Sequence, residues 1–327
     1  MVKYCVKRIL LSLLILLGVS LILYTLVWFM PADYLYNQAI TAAGTTGNVE
    51  EIYQELRAYY GLDGTMFQGY FGWLWDFLCG DFGVSFKYQR PVEEVIFENM
   101  GVSFMLSFVA LILELLIAIP LGVKCACNQY GKLDYTATVF TMLGISFPTF
   151  FLGSIVIKFF AIDLGWFPAG SLPPDPGAGE SWFLWLLNMG WHLVLPMFVL
   201  VILNIGAWMR YTRTNTLEVL NADYIRTARA KGLSEHSVVY KHVFRNTLIP
   251  LVTLLAGTLP SLFSGAMITE TIFDIPGIGN IAYNAMLEGD IPFIMGYNMF
   301  IAILTVIGIL LTDIMYAVVD PRVKLGA

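Results

Sequence analysis

The sequence predicts an all-α polytopic membrane protein, and three observations carry that expectation. Six apolar runs, about 9–30, 101–123, 136–160, 190–209, 248–269 and 296–318, are each long enough to span a bilayer core, a crossing that takes roughly 20 helical residues. Of the 327 residues 58% are apolar and 13% charged, with a mean hydropathy of +0.72; a soluble domain carries about 45–50% and about 25%. The basic residues are also unevenly placed. Every Lys and Arg except Arg57, Lys87, Arg90 and Lys158 falls in 1–8, 124–135, 210–247 or 319–327, so the positive-inside bias puts those segments and both termini in the cytoplasm. A water-soluble domain and a disordered chain are excluded by composition, and the formal charge of −6 argues against nucleic acid as a partner.

The elements follow in order. Ile9 to Met30 carries no charge and follows Lys3, Lys7 and Arg8. Secretory apolar regions run about 7–15 residues and end in a small-residue cleavage site; this run is longer and has none, so 1–30 reads as an uncleaved first span. Segment 31–100 is long without an apolar crossing and reads as an outer segment between the first two spans. Within it Val49 to Tyr60 has helical spacing, with Ile52, Leu56 and Tyr59 on one face and Gly61 as its stop. The aromatic run Phe67 to Phe77 belongs at headgroup level, lying on the outer leaflet or capping the bundle. The acidic excess of this segment suits either a docking protein or a solvated rim. Residues 101–327 supply a five-helix core, interrupted outside by 161–189, whose Pro168, Gly170, Pro173, Pro174, Pro176, Gly177 and Gly179 predict an irregular loop. Cys5, Cys125 and Cys127 fall on the inner side and Cys79 outside, so no outer disulfide is expected.

Residues 210–247 form the longest interior excursion. Asn221 is placed to cap a helix over Ala222 to Lys231, with Ala222, Ile225, Ala228 and Arg229 along one face. Gly232 suits a left-handed stop, with Leu233 making the closing apolar contact. Ser234 then caps a second helix, Glu235 to Arg245, carrying Val238, Val239 and Val243, and Pro250 falls in the first turn of the fifth span. The expectation is two short amphipathic helices, 221–245, joined by a tight glycine turn. The inside-positive bias alone accounts for Arg210 and Arg213, but not for this capped layout.

The stretch Asp223-Tyr224-Ile225-Arg226-Thr227-Ala228-Arg229-Ala230-Lys231-Gly232-Leu233 resembles the EAA loop of ABC importer permeases in its peptide/nickel form. The general pattern opens Glu-Ala-Ala where this chain has Arg226-Thr227-Ala228, and Pro250 lies further from Gly232 than that pattern requires; both departures suit the peptide/nickel branch. The resemblance extends along the chain through Gly61-Leu62-Asp63, Gly80-Asp81-Phe82-Gly83-Val84-Ser85, Pro91-Val92, Ser146-Phe147-Pro148-Thr149-Phe150 and Leu164-Gly165-Trp166-Phe167-Pro168. It continues through Glu270-Thr271-Ile272-Phe273, Pro276-Gly277-Ile278-Gly279 and Asp320-Pro321-Arg322. Pro31-Ala32-Asp33 stands where the family usually has Pro-Gly-Asp-Pro. The resemblance implies the B-type permease subunit of a dipeptide/oligopeptide/nickel importer, with the six-helix, MetI-like fold of type I importers. It also implies a homologous second permease, two cytoplasmic ABC ATPase subunits and an extracellular or periplasmic solute-binding protein. In that reading Tyr224, Ile225, Arg226, Thr227, Ala228, Arg229, Ala230, Lys231, Gly232 and Leu233 couple the membrane helices to the ATPases. Solutes related permeases carry include di- and oligopeptides, nickel chelates and glutathione.

Within the spans, Thr253, Gly257, Ser261 and Ser264 recur at helical spacing, with Pro260 among them. Either a pore-lining stripe or a helix-packing seam draws on such residues, and Gly144, Ser146, Pro148, Thr149, Gly153 and Ser154 pose the same choice in the third span. Glu114, Glu270 and Asp313 are ionisable residues in or at the edge of spans, costly unless paired or wet. Glu114 is the deepest and is the candidate to face the pathway or a partner permease, the alternative being a hydrogen-bonded carboxyl within the bundle. Glu270 falls where the resemblance places the outer gate. His192, His236 and His242 do not cluster as metal ligands. No phosphate-cradling Gly-Lys-Ser/Thr loop occurs, so ATP and Mg are expected in the partner ATPases and no cofactor on this chain. A self-contained channel or secondary transporter is the competing class, disfavoured by the scarcity of charges along the spans.

Overall fold

The computed structural model describes residues 2–29, 32–44, 47–59, 62–174 and 181–319. Among these the chain is helical apart from turns and one isolated bridge between Val84 and Pro91. In order the helices are α1 (Val2–Trp28), α2 (Ala32–Ala43), α3 (Val49–Tyr59), α4 (Met66–Leu78), α5 (Val92–Cys127), α6 (Lys132–Ser146) and α7 (Thr149–Val156), which runs into a wide π turn over Ile157–Asp163. Then come α8 (Trp182–Leu220), α9 (Asp223–Ala230), α10 (Glu235–Ser237) with a second wide turn over Val238–Val243, α11 (Phe244–Gly257), α12 (Leu259–Phe263), α13 (Met267–Ile272), α14 (Ile278–Glu288) and α15 (Ile291–Val319). The expected stop at Gly61, the turn at Pro31, the loop residues Pro176, Gly177 and Gly179, and Asp320-Pro321-Arg322 lie outside the described residues.

Among the described residues four helices are long and apolar enough to cross a membrane: Lys7–Trp28, Val92–Cys127, Trp182–Leu220 and Ile291–Met315. The third and fifth spans, expected as single runs, are instead bent pairs. Lys132–Ser146 and Thr149–Asp163 meet at 101°, and Glu235–Gly257 and Leu259–Ile272 at 48°. The first bend has a local cause. Pro148 crowds the residue before it out of the helical region, and Phe147 accordingly sits at φ −77°, ψ 131° and ends α6. The fourth helix also starts earlier than its apolar run, at Trp182, and continues to Leu220. Helices α2 and α14, 12 and 11 residues long, were not foreseen, each being too short to register as a crossing.

The chain divides into two compact units, Met1–Glu98 with Asn284–Val306, and Asn99–Tyr283 with Ile307–Ala327. In the first, the aromatic helix α4 begins in a reciprocal cap between Thr65 and Gln68 and packs Tyr70 and Trp73 against Tyr24 of α1. Its opposite face, Phe67, Phe71, Trp75 and Leu78, is exposed. In the second, Leu106 and Ala110 of α5, Val156 of α7, Leu193 to Leu200 of α8, and Phe273 and Ile275 form the core. Glycines bring α8 close to its neighbours here. A Cβ on Gly144 would lie 2.6 Å from the Ile202 carbonyl oxygen, and one on Gly206 2.8 Å from that of Thr141. Such small-residue contacts let helices approach in lipid, where dispersion rather than water expulsion holds them.

Candidate functional site

Two regions carry the expected chemistry. The first is the turn between α8 and α11. Helix α9 buries Ile225 and Ala228, which meet Val238 and Val243 of the returning strand of helix in a small core with Val219 and Leu220. Ile225, Val238 and Val243 are fully shielded, each stabilising the turn by on the order of 2 kcal/mol. Gly232 follows the Lys231 cap at φ +78°, its N–H donating to the Arg229 carbonyl at 2.9 Å. That conformation is open to glycine and strained for a residue with a Cβ. Ser234 accepts from the Ser237 N–H at 3.4 Å to start the next helix. Across the turn Arg229 Nε donates to Glu235 at 2.8 Å, clasping the two arms. The result is an elbow with its own core.

Several details differ from expectation. Asn221 does not cap α9; it ends α8, and its side chain donates to the Leu217 carbonyl at 2.9 Å, while Ala222 occupies the cap position. Its competing bond within α8 wins because that helix continues without a break to Leu220. Arg229 lies outside the small core, turned to Glu235. Leu233, expected to fold back in a closing contact, is 41% exposed, and Tyr224 is 50% exposed. The second arm is not a separate helix ending at Arg245: it runs through the wide turn into α11, so Pro250 sits inside that helix rather than in its first turn.

The second region is a cavity of about 310 Å³ among α5, α8 and the α11–α13 stretch. Glu114, Asn204, Trp208, Thr258, Ser261 and Ser264 line it. Glu114 is 5% exposed and lines the cavity together with Asn204 and Trp208. The small-residue stripe of the fifth span is thereby divided. Ser261 and Ser264 face the cavity, whereas Gly257 lies at van der Waals distance from Thr312, and Gly308 against the Pro260 ring. Thr253 donates to its own helix at the Ile249 carbonyl, 3.4 Å away. Cavity lining and helix contact thus alternate along this stretch.

Glu270 is fully buried and does not line the cavity. Oε1 accepts from Ser103 Oγ at 2.7 Å and from the Ala266 N–H at 2.9 Å, and Oε2 accepts from the Asn280 N–H at 3.1 Å. Ser103 Oγ in turn accepts from the Ile278 N–H at 2.8 Å. A Cβ on Gly277 would collide with Ser103 and Glu270, and one on Gly265 or Gly279 with the same knot. The Pro-Gly-Ile-Gly turn and α13 are thus laced to α5 around one buried carboxylate, fully satisfied by donors, as a charge taken from water requires.

Sequence reasoning missed two further groups. Asp290, 1% exposed, caps α15 through the Phe293 N–H at 3.3 Å and accepts from Ser85 Oγ and from the Lys87 N–H at 3.1 Å. Nearby, burial together with the charges of Glu288 and Asp290 pushes the Tyr88 phenol up to about 12. Arg213, assigned only to the inside-positive bias, makes a two-pronged bond to buried Asp134 at 2.6 and 2.7 Å. Partners 79 and 205 positions apart leave no local pattern to read. Among the described residues no group of His, Cys, Asp and Glu is arranged to hold a metal ion.

The family model described as binding-protein-dependent transport system inner membrane component matches residues 118–325, and its N-terminal counterpart matches residues 1–107. The chain is 36% identical over 328 residues to the oligopeptide transport system permease protein AppB of Bacillus subtilis, covering 99% of this chain and 100% of that one. It is 35% identical over 330 residues to a putative peptide permease protein of Brucella suis, covering 99% of both. With the dipeptide transport system permease protein DppB of Bacillus subtilis it shares 32% identity over 326 residues, again 99% of both chains.

Proposed function

Because the chain belongs to the family of binding-protein-dependent transport system inner membrane components, we propose that it is the membrane permease subunit of an ATP-driven importer of di- and oligopeptides. It works beside a homologous second permease in the cytoplasmic membrane, with both termini inside. Two ATPase subunits hold the ATP and Mg, and an external solute-binding protein delivers the peptide. Closure of the ATPases pushes on the elbow at 221–245, and the push passes into α8 and α11, which flank the cavity. Glu114, Ser261 and Ser264 face the peptide on its way, and Thr253, Gly257 and Glu270 belong to the helices that move around it.

The observation that carries this reading is the elbow itself. A slack loop would absorb displacement, whereas a glycine-closed turn with a dry core of its own and a clasping ion pair transmits it. Tyr224 and Leu233 stand exposed at its tip, ready for a groove on a partner. Direct docking is testable with Tyr224→Cys in a background whose four native cysteines are replaced by Ser. The variant is expected to cross-link to an ATPase subunit in native membranes, and to react with a membrane-impermeant maleimide in inside-out vesicles only. Labelling in intact cells, or no cross-link despite assembly, contradicts it.

A further inference from the structure

The geometry points to Glu114 as the residue that recognises the free, positively charged amino group of the transported solute. This deepens the peptide-importer reading and rests on it. The cavity wall is rich in acceptors. Thr258 Oγ1 spends its hydrogen on the Leu255 carbonyl at 2.8 Å and Ser261 Oγ spends its own on the Thr258 carbonyl at 2.6 Å. Both hydroxyl oxygens therefore present lone pairs, not protons. Asn204 Nδ2 is engaged with the Leu200 carbonyl at 2.9 Å, and with Trp208 it lines the same space. Among the described residues Glu114 is the single ionisable one lining the space, and no Lys, Arg or His lines it.

A carboxylate in a low-dielectric cavity whose lining carries no cation is complementary to a donor-only cation. An ammonium has three donors and no acceptor, so it satisfies the carboxylate and the hydroxyls together. A carboxylate or phosphate would meet repulsion from Glu114 and find no cationic side chain on the lining. The buried charge costs energy while the cavity holds no cation, and a passing ammonium offsets that cost. Recognition here is complementary but shallow, since about 310 Å³ is near the lower end of small-molecule sites and accommodates the amino-terminal part of a short peptide rather than a long one.

The test uses the whole reconstituted importer with its binding protein saturated in turn by a tripeptide and by the same tripeptide acetylated at its amino terminus. ATP-dependent uptake is expected to favour the free amine. Glu114→Gln keeps the shape and the partners of the side chain but removes its charge, and is expected to lower the free-amine to acetylated ratio by about tenfold or more, the scale of a lost charge-assisted bond. Glu114→Asp is expected to retain part of the preference. A ratio unchanged in Glu114→Gln, a parallel fall for both peptides, or equal uptake of the two by the unaltered importer overturns the assignment of Glu114 and leaves the importer reading standing. Absence of ATP-dependent uptake of either peptide by the unaltered importer overturns the importer reading, and the assignment with it.

Discussion

At Ser103 one hydroxyl serves two buried groups, donating to Glu270 Oε1 and accepting from the Ile278 N–H. Ser103→Ala leaves the Ile278 N–H without its acceptor, at roughly 1–3 kcal/mol for an orphaned buried group, and takes from Glu270 one of its three donors. The expected outcome is a clearly lower melting temperature of the purified protein in detergent, with Ser103→Thr, which keeps the hydroxyl, closer to the parent; equal melting of the alanine variant would contradict the knot. None of this was legible beforehand. Glu270 stood out in the sequence as a costly carboxylate at a span edge, but its partners come from 167 positions away and from backbone N–H groups that any residue supplies. The same holds for Asp134 with Arg213. Glu114 was more legible, because a carboxylate alone in the middle of an apolar run has few ordinary explanations, and the cavity gives it one.

Among the elements, legibility tracked how local the cause was. The elbow was readable because Gly232, Ser234 and the spacing of Ile225 and Ala228 act within a few residues of one another, and the structure keeps all of them in use. The bends in the third and fifth spans were not, since hydropathy counts apolar residues without regard to direction; only Pro148, acting on Phe147, betrayed the sharper of the two. The contact of α6 with α8 gives a paired prediction. Gly144→Ala drives a Cβ into the Ile202 backbone, whereas nothing lies within 4 Å of a Cβ on Gly190 of α8. Overpacking costs about 1–3 kcal/mol, while alanine for an unconstrained helical glycine is neutral or favourable. Thermal unfolding in detergent should therefore separate the two variants, Gly144→Ala falling and Gly190→Ala holding or rising; equal melting would mean that the helices do not meet at Gly144.

Across the whole molecule, the fold class followed from composition and from apolar runs of bilayer length, and the four long apolar helices and two bent pairs agree with it. Each compact unit contains a buried carboxylate, Asp290 in one and Glu270 in the other, satisfied by backbone donors and a serine. These fixed knots contrast with the cavity at Glu114, whose wall offers acceptors to a guest, and with the elbow, whose stiffness has use only if something pushes on it. Transport in this account is the displacement of a rigid lever at one place and the passage of solute at another.

The most direct test of that claim is ATP hydrolysis stimulated by the loaded binding protein, measured together with peptide uptake, in Gly232→Val and Gly232→Asn importers. No atom crowds the position, so the cost of each substitution is backbone strain alone: on the order of 1–2 kcal/mol for a branched residue in the left-handed region and less for asparagine, which visits it readily. Valine is expected to leave the ATPases bound but to uncouple hydrolysis from uptake, and asparagine to restore most of the coupling. Full coupling with valine at Gly232 would show that the elbow is not the lever.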